Sequence, residues 1–328
     1  MLKFFIKRVG NMIFSLFFIS VIAFIVIQLP PGDFMTTYIT QMSAGGSPVQ
    51  LDEIENLNRQ FGLDQPIYVQ YYKWITGILF RWDFGQSFNF RRPVITLLDE
   101  RLGYSLVLAF GTMIFVYVIA LPIGAYSAIK QYSVTDYIVT FFGFLGLALP
   151  SFLFALIMMY LSNKYLGISV GGLLSPKYET APWSFAKLID FLSHLWVPLV
   201  VVGLSGTASL IRVMRATMLD ELSQAYVETA RAKGLPEWRM ILKYPVRLAV
   251  SPFVSTIGFT LPNLIGDTAI VAIVLSIPTV GPLLLTSLLS QDMYLAGSII
   301  LLLSAMTVVG TFVSDILLAW LDPRIRYD

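Results

Sequence analysis

Few side chains in this sequence of 328 residues could carry out covalent chemistry. There is no cysteine, which excludes thiol catalysis, disulfides and thiolate metal sites, and the single histidine, His194, has no partner at metal-ligand spacing. The phosphate-loop pattern G-x4-G-K-[ST] and the zinc-protease pattern H-E-x-x-H are both absent. The sequence therefore predicts no catalytic residue, no metal site and no ATP bound by this chain.

One carboxylate lies where a charge is costly. Asp267 falls midway in an apolar run at about 253–275, where an exposed charge costs about 2.5–3.5 kcal/mol on insertion scales. Such residues usually face a water-filled path or a partner. Gly266 beside it and Pro262 one turn earlier indicate a helix that can bend. We predict that Pro262, Gly266 and Asp267 line a translocation path and that Asp267 contacts polar substrate; a structural hydrogen bond to a neighbouring helix is the alternative.

The other concentration of polar side chains is the charged stretch Tyr226 to Lys243, YVETARAKGLPEWRMILK. A first helix is predicted at about 219–233, acidic early and basic late, as the helix dipole favours. Gly234 suits the left-handed residue that ends a helix, and Pro236 suits the first turn of a second one. We name residues 219–245 the knob. It is predicted to be either a contact surface for a cytosolic partner or a solvated loop.

Composition places these residues in a membrane protein. The chain is 56% hydrophobic and 13% charged, with a mean hydropathy of +0.75. A soluble domain is about one quarter charged. The net charge of +2 is too small to indicate nucleic acid as a partner. The sequence therefore predicts an all-α integral membrane protein in contact with lipid.

Apolar runs of membrane-spanning length predict six transmembrane helices. They lie at about 12–29, 104–129, 137–161, 194–218, 253–275 and 295–320. The first is read as a retained span because no small-residue cleavage site follows it. The chain then divides into an N-terminal tail with the first span (1–30), a long exterior loop (31–103) and a five-helix core that contains the knob (104–328).

The loop at 31–103 is too long for a plain connector, so it is predicted to fold into an exterior scaffold. Helices are expected at 51–61 and 66–80. Aromatic residues suited to a membrane interface follow or lie in the second helix, namely Trp74, Phe80, Trp82 and Phe84. The scaffold either docks a binding protein or packs as a lid on the helix bundle.

Charge distribution predicts the orientation. Six spans place both termini on one side of the membrane. The segments on that side contain thirteen of the 22 Lys and Arg residues, although they are shorter in total than the segments on the other side. The positive-inside rule then places both termini and the knob in the cytoplasm. Within the spans, Gly143 and Gly146 are expected to form a small-residue packing face, and Arg212 and Arg215 to reach the cytosolic interface.

Several motifs resemble one family of transporters. Glu228, Thr229 and Ala230, followed after three residues by Gly234, resemble the EAA-x3-G signature of ABC importer permeases. Other stretches resemble the dipeptide and oligopeptide permeases of the B type: TARAKG at 229–234, LDPRIRY at 321–327, GLDQP at 62–66 and DFGQS at 83–87.

The resemblance implies a type I ABC importer fold and a coupling helix that docks on an ATPase. The implied coupling residues are Glu228, Thr229, Ala230, Arg231, Gly234, Leu235 and Trp238. In those roles Glu228 bonds across the interface, Ala230 allows close approach and Gly234 sets the turn. The implied partners are a homologous second permease, two cytosolic ATPases that hold ATP and Mg, and an extracytoplasmic substrate-binding protein, all at the cell inner or plasma membrane.

One stretch departs from the peptide-permease pattern. Where such permeases typically carry V-E-T-V-F-S-W-P-G-x-G, residues 271–281 read VAIVLSIPTVG, with Ala272, Ile277 and Thr279 at the glutamate, tryptophan and glycine positions. Some members of this branch carry oligosaccharides, so the expected substrate is a peptide or an oligosaccharide. The rival class is a channel or secondary transporter acting alone. It predicts inverted repeats and paired intramembrane charges, neither of which is evident.

Overall fold

The computed structural model describes residues 2–28, 65–87, 89–167 and 171–321. In these ranges the regular structure is helical, apart from an isolated antiparallel bridge between Gln86 and Pro93. The prediction of an all-α chain is therefore confirmed for the described residues.

The helices are numbered in chain order. The N-terminal half contains α1 Leu2–Gln28, α2 Ile67–Arg81, α3 Val94–Ile129, α4 Val134–Ala148, α5 Ser151–Leu161 and α6 Pro176–Glu179. The C-terminal half contains α7 Phe185–Leu222, α8 Ala225–Ala232, α9 Glu237–Lys243, α10 Pro245–Ala249, α11 Ser251–Asp267, α12 Ala269–Val274, α13 Val280–Leu289 and α14 Met293–Leu321.

Four described helices are long and apolar enough to cross a membrane alone: α1, α3, α7 and α14. Two further spans result if each of two bent pairs counts as one, which gives up to six. The pairs are Val134–Ala148 with Ser151–Tyr165, bent by 103°, and Glu237–Ala249 with Ser251–Asp267, bent by 45°. The chain is thus a multi-pass membrane protein.

The predicted third span, 137–161, is not a single straight helix. Leu149 has an extended backbone with φ −85° and ψ 122°, and α5 begins directly after Pro150. A proline disfavours helical geometry in the residue before it, because its ring crowds that residue's backbone. The bend of 103° therefore follows from Pro150, which hydropathy alone does not register.

Three helices begin earlier than their apolar runs. α1 starts at Leu2 and α3 at Val94, each ten residues before the predicted span, and α7 starts at Phe185, nine before. Ser184 caps α7, because its side chain accepts a hydrogen bond from the Lys187 amide at 3.2 Å. Charged residues end an apolar run without ending a helix, so hydropathy placed all three starts too late.

The described residues form two compact units. Unit 1 holds residues 104–167, 171–278 and 309–321, and unit 2 holds 2–28, 65–87, 89–103 and 279–308. In unit 1 several helices share an apolar core, with buried members that include Leu108, Phe191, Val197, Val271, Ala272, Leu275 and Ile277. A second cluster in unit 1 contains Ala128, Met214, Met218, Ala249 and Phe253.

Glycines allow close helix packing within unit 1. A Cβ on Gly146 would lie 3.2 Å from Leu204 Cγ, which confirms the packing prediction for this residue, whereas Gly143 has nothing within 4 Å. The closest approach joins α11 to α14, since a Cβ on Gly258 would lie 2.6 Å from Thr311 Cα. Gly258 N also donates to Ser314 Oγ at 3.0 Å.

In unit 2, α2 packs on α1. The hydroxyls of Ser20 and Tyr71 share a hydrogen bond of 2.8 Å, and the Phe24 and Trp74 rings lie 5.5 Å apart. Trp74 is 6% exposed, as is Phe84, so these two residues are part of the packed interior. Their predicted place at the membrane interface is corrected accordingly.

The rest of the predicted exterior scaffold is partly described. The helix expected at 66–80 is α2, whereas residues 31–64, with the helix expected at 51–61, lie outside the described residues. Phe80 and Trp82 are 81% and 73% exposed and remain suited to an interface.

The DFGQS stretch is fastened to the start of α14. Asp292 is fully buried and accepts hydrogen bonds from the Ser87 hydroxyl and from the Leu295 amide, the latter at 3.2 Å. Gly85 has φ +84°, and a Cβ there would lie 2.9 Å from the Tyr294 ring. The stretch therefore has a structural role within unit 2.

Candidate functional site

The knob consists of two short helices that follow a break in the chain. α7 ends at Leu222, and α8 begins at Ala225 after Gln224, whose backbone is extended with φ −77° and ψ 145°. The single helix predicted at 219–233 is therefore divided. The Ser223 hydroxyl donates to the Asp220 carbonyl at 2.8 Å, a local bond that competes with continued helix.

The turn between α8 and α9 has the geometry that its sequence predicts. Gly234 has φ +74°, and its amide donates to the Arg231 carbonyl at 3.0 Å. The Leu235 amide donates to the Ala230 carbonyl at 3.4 Å, which completes a Schellman motif. Pro236 then precedes the first residue of α9.

A small apolar core holds the two knob helices together. Val227, Ala230 and Met240 are 0%, 6% and 1% exposed, and Leu235 and Tyr244 pack against them. Ala230, expected to allow close approach to an ATPase, lies inside this core. The close approach that it allows is between α8 and α9.

The opposite side of the knob is exposed and combines charge with apolar surface. Glu228 and Thr229 are exposed on α8, while Trp238 and Leu242 on α9 are 62% and 60% exposed. Arg231 Nη2 lies 3.4 Å from Glu237 Oε1 and links the two helices across the turn. Large apolar side chains exposed beside charges are typical of protein–protein contact surfaces.

Tyr226 attaches the knob to the end of α7. Its hydroxyl donates to the Glu221 carboxylate, and its ring lies 6.3 Å from that of Tyr244. Burial, and then the Glu221 carboxylate, raise the pKa of the Tyr226 hydroxyl well above its usual value. The hydroxyl therefore stays protonated and keeps donating at any physiological pH.

The predicted path residues lie at the end of α11. Asp267 is the last residue of this helix and is exposed, as is Gly266, whereas Pro262 is buried. The helix continues through Pro262 and stops at Thr268, so the break falls one residue after Asp267. The predicted fifth span, 253–275, is accordingly divided between α11 and α12.

Asp267 shares a face of α11 with other polar residues. Ser255, Asn263 and Asp267 are exposed and lie at intervals of four or eight residues, which is the spacing of one helical face. Phe259, between Ser255 and Asn263 on the same face, is 50% exposed, so the polar part is the half that ends at Asp267. No hydrogen bond or ion pair to another described residue holds the Asp267 carboxylate. This polar face on a helix of predominantly apolar composition suits contact with water or with another chain.

One sequence pattern associated with catalysis lacks the structural context that it requires. Residues 167–171, GISVG, match the spacing G-x-S-x-G, but a nucleophile elbow follows a strand, and here the preceding residues 151–166 are helical. Within the described ranges no group of three His, Asp or Glu side chains could hold a metal ion.

Sequence reasoning missed a buried ion pair in unit 1. Arg215, whose predicted place is the cytosolic interface, binds Asp136, which is 3% exposed and lies in the short link between the second and third predicted spans. The arginine inside an apolar run could have indicated that an ion pair exists. It could not have identified the partner, because Asp136 lies 79 residues away in the sequence.

Two family profiles match the chain. The family described as "Binding-protein-dependent transport system inner membrane component" matches residues 120–327. The family of the corresponding N-terminal region matches residues 1–109.

Named relatives are similar over nearly the full length. The oligopeptide transport system permease protein AppB of Bacillus subtilis is 34% identical over 329 residues, which cover 100% of both chains. The probable D,D-dipeptide transport system permease protein DdpB of Escherichia coli is 30% identical, with 94% of this chain and 92% of the relative covered. The dipeptide transport system permease protein DppB of Escherichia coli is 27% identical, with 100% and 99% covered.

A solved structure shares the fold. A chain of the MetNI methionine ABC transporter in an inward-facing conformation aligns with a TM-score of 0.53 at 16% sequence identity. The alignment covers 70% of this chain and 97% of the other. At this identity the likeness concerns the fold alone.

Proposed function

Because the chain belongs to the family of binding-protein-dependent transport system inner membrane components, and is thus a permease subunit of an ABC importer, we propose that it imports peptides through a pathway shared with a second permease. The chain is not itself an enzyme. ATP and Mg bind to two separate cytosolic ATPases, and an extracytoplasmic binding protein delivers the substrate. Both termini and the knob lie on the cytoplasmic side of the inner or plasma membrane.

The observation that carries this proposal is the exposed side of the knob. Trp238 and Leu242 cannot be buried within α8 and α9, whose own core is already filled by Val227, Ala230 and Met240. An ATPase groove that covers the two exposed side chains would remove their apolar surface from water.

The charged and turn residues of the knob have distinct roles in this docking. Glu228 and Arg231 flank the apolar contact and orient the partner, since charges at a rim favour one orientation over others. Leu235 packs against the knob core, and the exposed Thr229, whose hydroxyl donates to the Ala225 carbonyl at 2.9 Å, lies beside Glu228 on the docking side. Gly234 fixes the angle between the helices.

The polar face of α11 supports a path for substrate. Asp267 ends this face, where its carboxylate can attract the ammonium group of a peptide, and Gly266 beside it leaves open space. Pro262 removes the amide that would bond to the Gly258 carbonyl, so the helix can flex without breaking a bond there. One such face supplies part of a lining, and a homologous permease supplies the rest.

Peptides are favoured over oligosaccharides as the substrate. The similar proteins from Bacillus subtilis and Escherichia coli are named as oligopeptide and dipeptide permeases. Ala272 and Ile277, which depart from the peptide-permease pattern, are 1% and 3% exposed in the apolar core of unit 1. Their side chains therefore affect packing, and the departure gives no argument for a sugar.

The test is substrate-stimulated ATP hydrolysis by the whole complex in lipid vesicles. The binding protein is loaded in turn with peptides and with oligosaccharides, and hydrolysis is measured together with uptake. We expect peptides to stimulate both. Stimulation by oligosaccharides alone would overturn the substrate, and uptake without ATP would favour a secondary transporter or channel. Failure of any ATPase to co-purify would contradict the importer complex.

A further inference from the structure

A buried ion pair joins the turn between α3 and α4 to α7, the helix that leads into the knob. Arg215 donates from Nε to Asp136 Oδ1 and from Nη2 to Asp136 Oδ2, each at 2.8 Å. Two parallel bonds fix the planar guanidinium against the carboxylate. The Asp136 side chain is 4% exposed and that of Arg215 27%, so water screens the pair less than a surface pair.

The same carboxylate holds the turn. Asp136 also accepts hydrogen bonds from the Ser127 hydroxyl at the end of α3 and from the Tyr132 amide at 3.0 Å. Tyr132 has φ +62°, a conformation that residues other than glycine rarely adopt. Ser133 caps α4 by accepting from the Asp136 amide at 3.3 Å. One side chain thus joins the end of α3, the turn and the start of α4 to α7.

Close packing of α3 against α7 near the ion pair leaves these two helices little freedom to move separately. A Cβ on Gly124 of α3 would lie 2.6 Å from Met214 Cβ and 2.8 Å from the Ile211 carbonyl oxygen of α7. After the knob, α10 packs on α7, because Ala249 lies in one buried apolar cluster with Met214 and Met218. One helix that precedes the knob, α3, and one that follows it, α10, therefore both pack against the part of α7 that carries Arg215.

The pair lies close to the knob along the helix. Arg215 precedes the end of α7 at Leu222 by seven residues, which is about 10 Å of helix. We propose that Asp136 and Arg215 are positioning residues for energy coupling, and that their ion pair makes the α3–α4 turn move together with α7 and the knob. The inference rests on the proposed docking of an ATPase on the knob and adds the route by which movement leaves it.

Conservative variants separate this role from simple charge neutralisation. Arg215→Lys keeps a positive charge beside Asp136 but loses the planar pair of bonds. Asp136→Asn keeps the shape and removes the charge. Arg212→Lys is the matched control, because Arg212 lies one turn earlier on α7 and is exposed.

The first experiment compares uptake with ATP hydrolysis in the reconstituted complex, using peptide-loaded binding protein. We expect Arg215→Lys and Asp136→Asn to lower the amount of peptide imported per ATP about fivefold, in the range known for residues that carry coupling. Arg212→Lys should match the parent complex. A purely structural role would reduce the yield of assembled complex and leave the ratio of uptake to hydrolysis unchanged.

The second experiment measures whether the turn and the knob move together. Because the chain has no cysteine, spin labels at Lys130→Cys and Lys233→Cys report only this pair of positions in the subunit. Both side chains are exposed. We expect the same distance distribution without nucleotide and in the vanadate-trapped complex, and a shifted or broadened one in trapped Arg215→Lys.

The outcomes distinguish this inference from the proposed function. A label distance that changes with nucleotide in the parent complex, or a parental import ratio in Arg215→Lys, would overturn the role of the ion pair while ATP-driven import stands. If Asp136→Asn fails to assemble, Arg215→Lys and the label distances decide the matter. A parent complex that imports nothing with ATP would overturn both proposals.

Discussion

At the scale of single residues, Trp238 is the side chain on which ATPase docking should depend most. It is 62% exposed, and tryptophans that become buried at interfaces commonly dominate their binding energy. We expect Trp238→Ala to weaken docking by about 2 kcal/mol, roughly thirtyfold in affinity. Pull-down of the ATPases by the purified permease pair, titrated with ATPase concentration, measures the change.

Trp183 supplies the matched control, because it is 64% exposed and lies just before α7, at the opposite end of that helix from the knob. Trp183→Ala should leave ATPase affinity unchanged. Equal losses from both substitutions would mean that Trp238 acts through general stability.

Asp267 provides the second prediction at this scale. If its carboxylate attracts the ammonium group of a passing peptide, Asp267→Asn removes a charge-assisted interaction worth about 1.5–3 kcal/mol. Peptide uptake at low substrate concentration should fall about tenfold or more, with basal ATP hydrolysis retained. Glu179→Gln, at an exposed carboxylate outside the spans, is the control. Unchanged uptake in Asp267→Asn would remove this residue from the path.

Residue roles were predictable where the cause is local. Gly234 could be placed because a left-handed helix end depends on a few neighbouring residues. Arg215 could not be paired with Asp136, because the contact depends on how α4 and α7 pack. Ala230 likewise belongs to a stretch that resembles the EAA-x3-G signature, yet its burial between α8 and α9 is a property of the folded knob and could not be predicted from that pattern.

At the scale of elements, the angle between α8 and α9 depends on Gly234. Its φ of +74° costs a residue with a side chain about 1–2 kcal/mol, although nothing lies within 4 Å of a Cβ there. We expect Gly234→Ala to lower ATP hydrolysis stimulated by loaded binding protein while the chain still inserts and pairs. Gly167→Ala, also left-handed with φ +64° and open space, is the matched control.

The crossing of α11 and α14 gives a prediction about stability. Gly258→Ala would place a Cβ 2.6 Å from Thr311 Cα, and a backbone neighbour cannot rotate away. The helices must separate, at a cost of about 1–3 kcal/mol. Thermal unfolding of the purified complex in detergent should shift downward for Gly258→Ala and stay unchanged for Gly143→Ala, which meets nothing within 4 Å. Equal midpoints would contradict the close approach.

Elements were predictable to the extent that hydropathy controls them. α14 coincides with its apolar run to within two residues at its start and one at its end, because a long apolar stretch has no stable alternative to helix in lipid. Hydropathy carries no information on the direction of a helix axis, so it did not predict the bend at Pro150 or the break at Ser223. Both are set by backbone geometry at one or two residues.

At the scale of the whole molecule, orientation can be tested by labelling. Each of two cysteine substitutions at exposed lysines supplies the only thiol in the chain: Lys130→Cys and Lys177→Cys. We expect a membrane-impermeant maleimide applied to intact cells to label Lys177→Cys and to label Lys130→Cys only after permeabilisation. The reverse pattern would place the knob outside the cell and contradict docking on a cytosolic ATPase.

The class of the molecule followed from bulk properties, since 56% hydrophobic residues in long runs leave few soluble alternatives. The division into two units followed only in part. Its boundary between residues 103 and 104 falls where an apolar run begins, whereas the grouping of residues 279–308 with the N-terminal unit depends on how the helices pack. Partners, too, are encoded only through surfaces, and a surface exists only once the helices have packed.

The residues that form the core of the knob differ from those that form its exposed side, and this separation has an evolutionary consequence. Val227, Ala230 and Met240 pack against one another in the core of the knob, which restricts the size of each side chain. Glu228, Trp238 and Leu242 lie outside that core, and the Trp238 ring meets only the exposed guanidinium of Arg239, at 5.0 Å. The exterior set can therefore drift in step with the groove of an ATPase while the interior set stays fixed. A duplicated permease gene could acquire a new motor by changing only the exterior set.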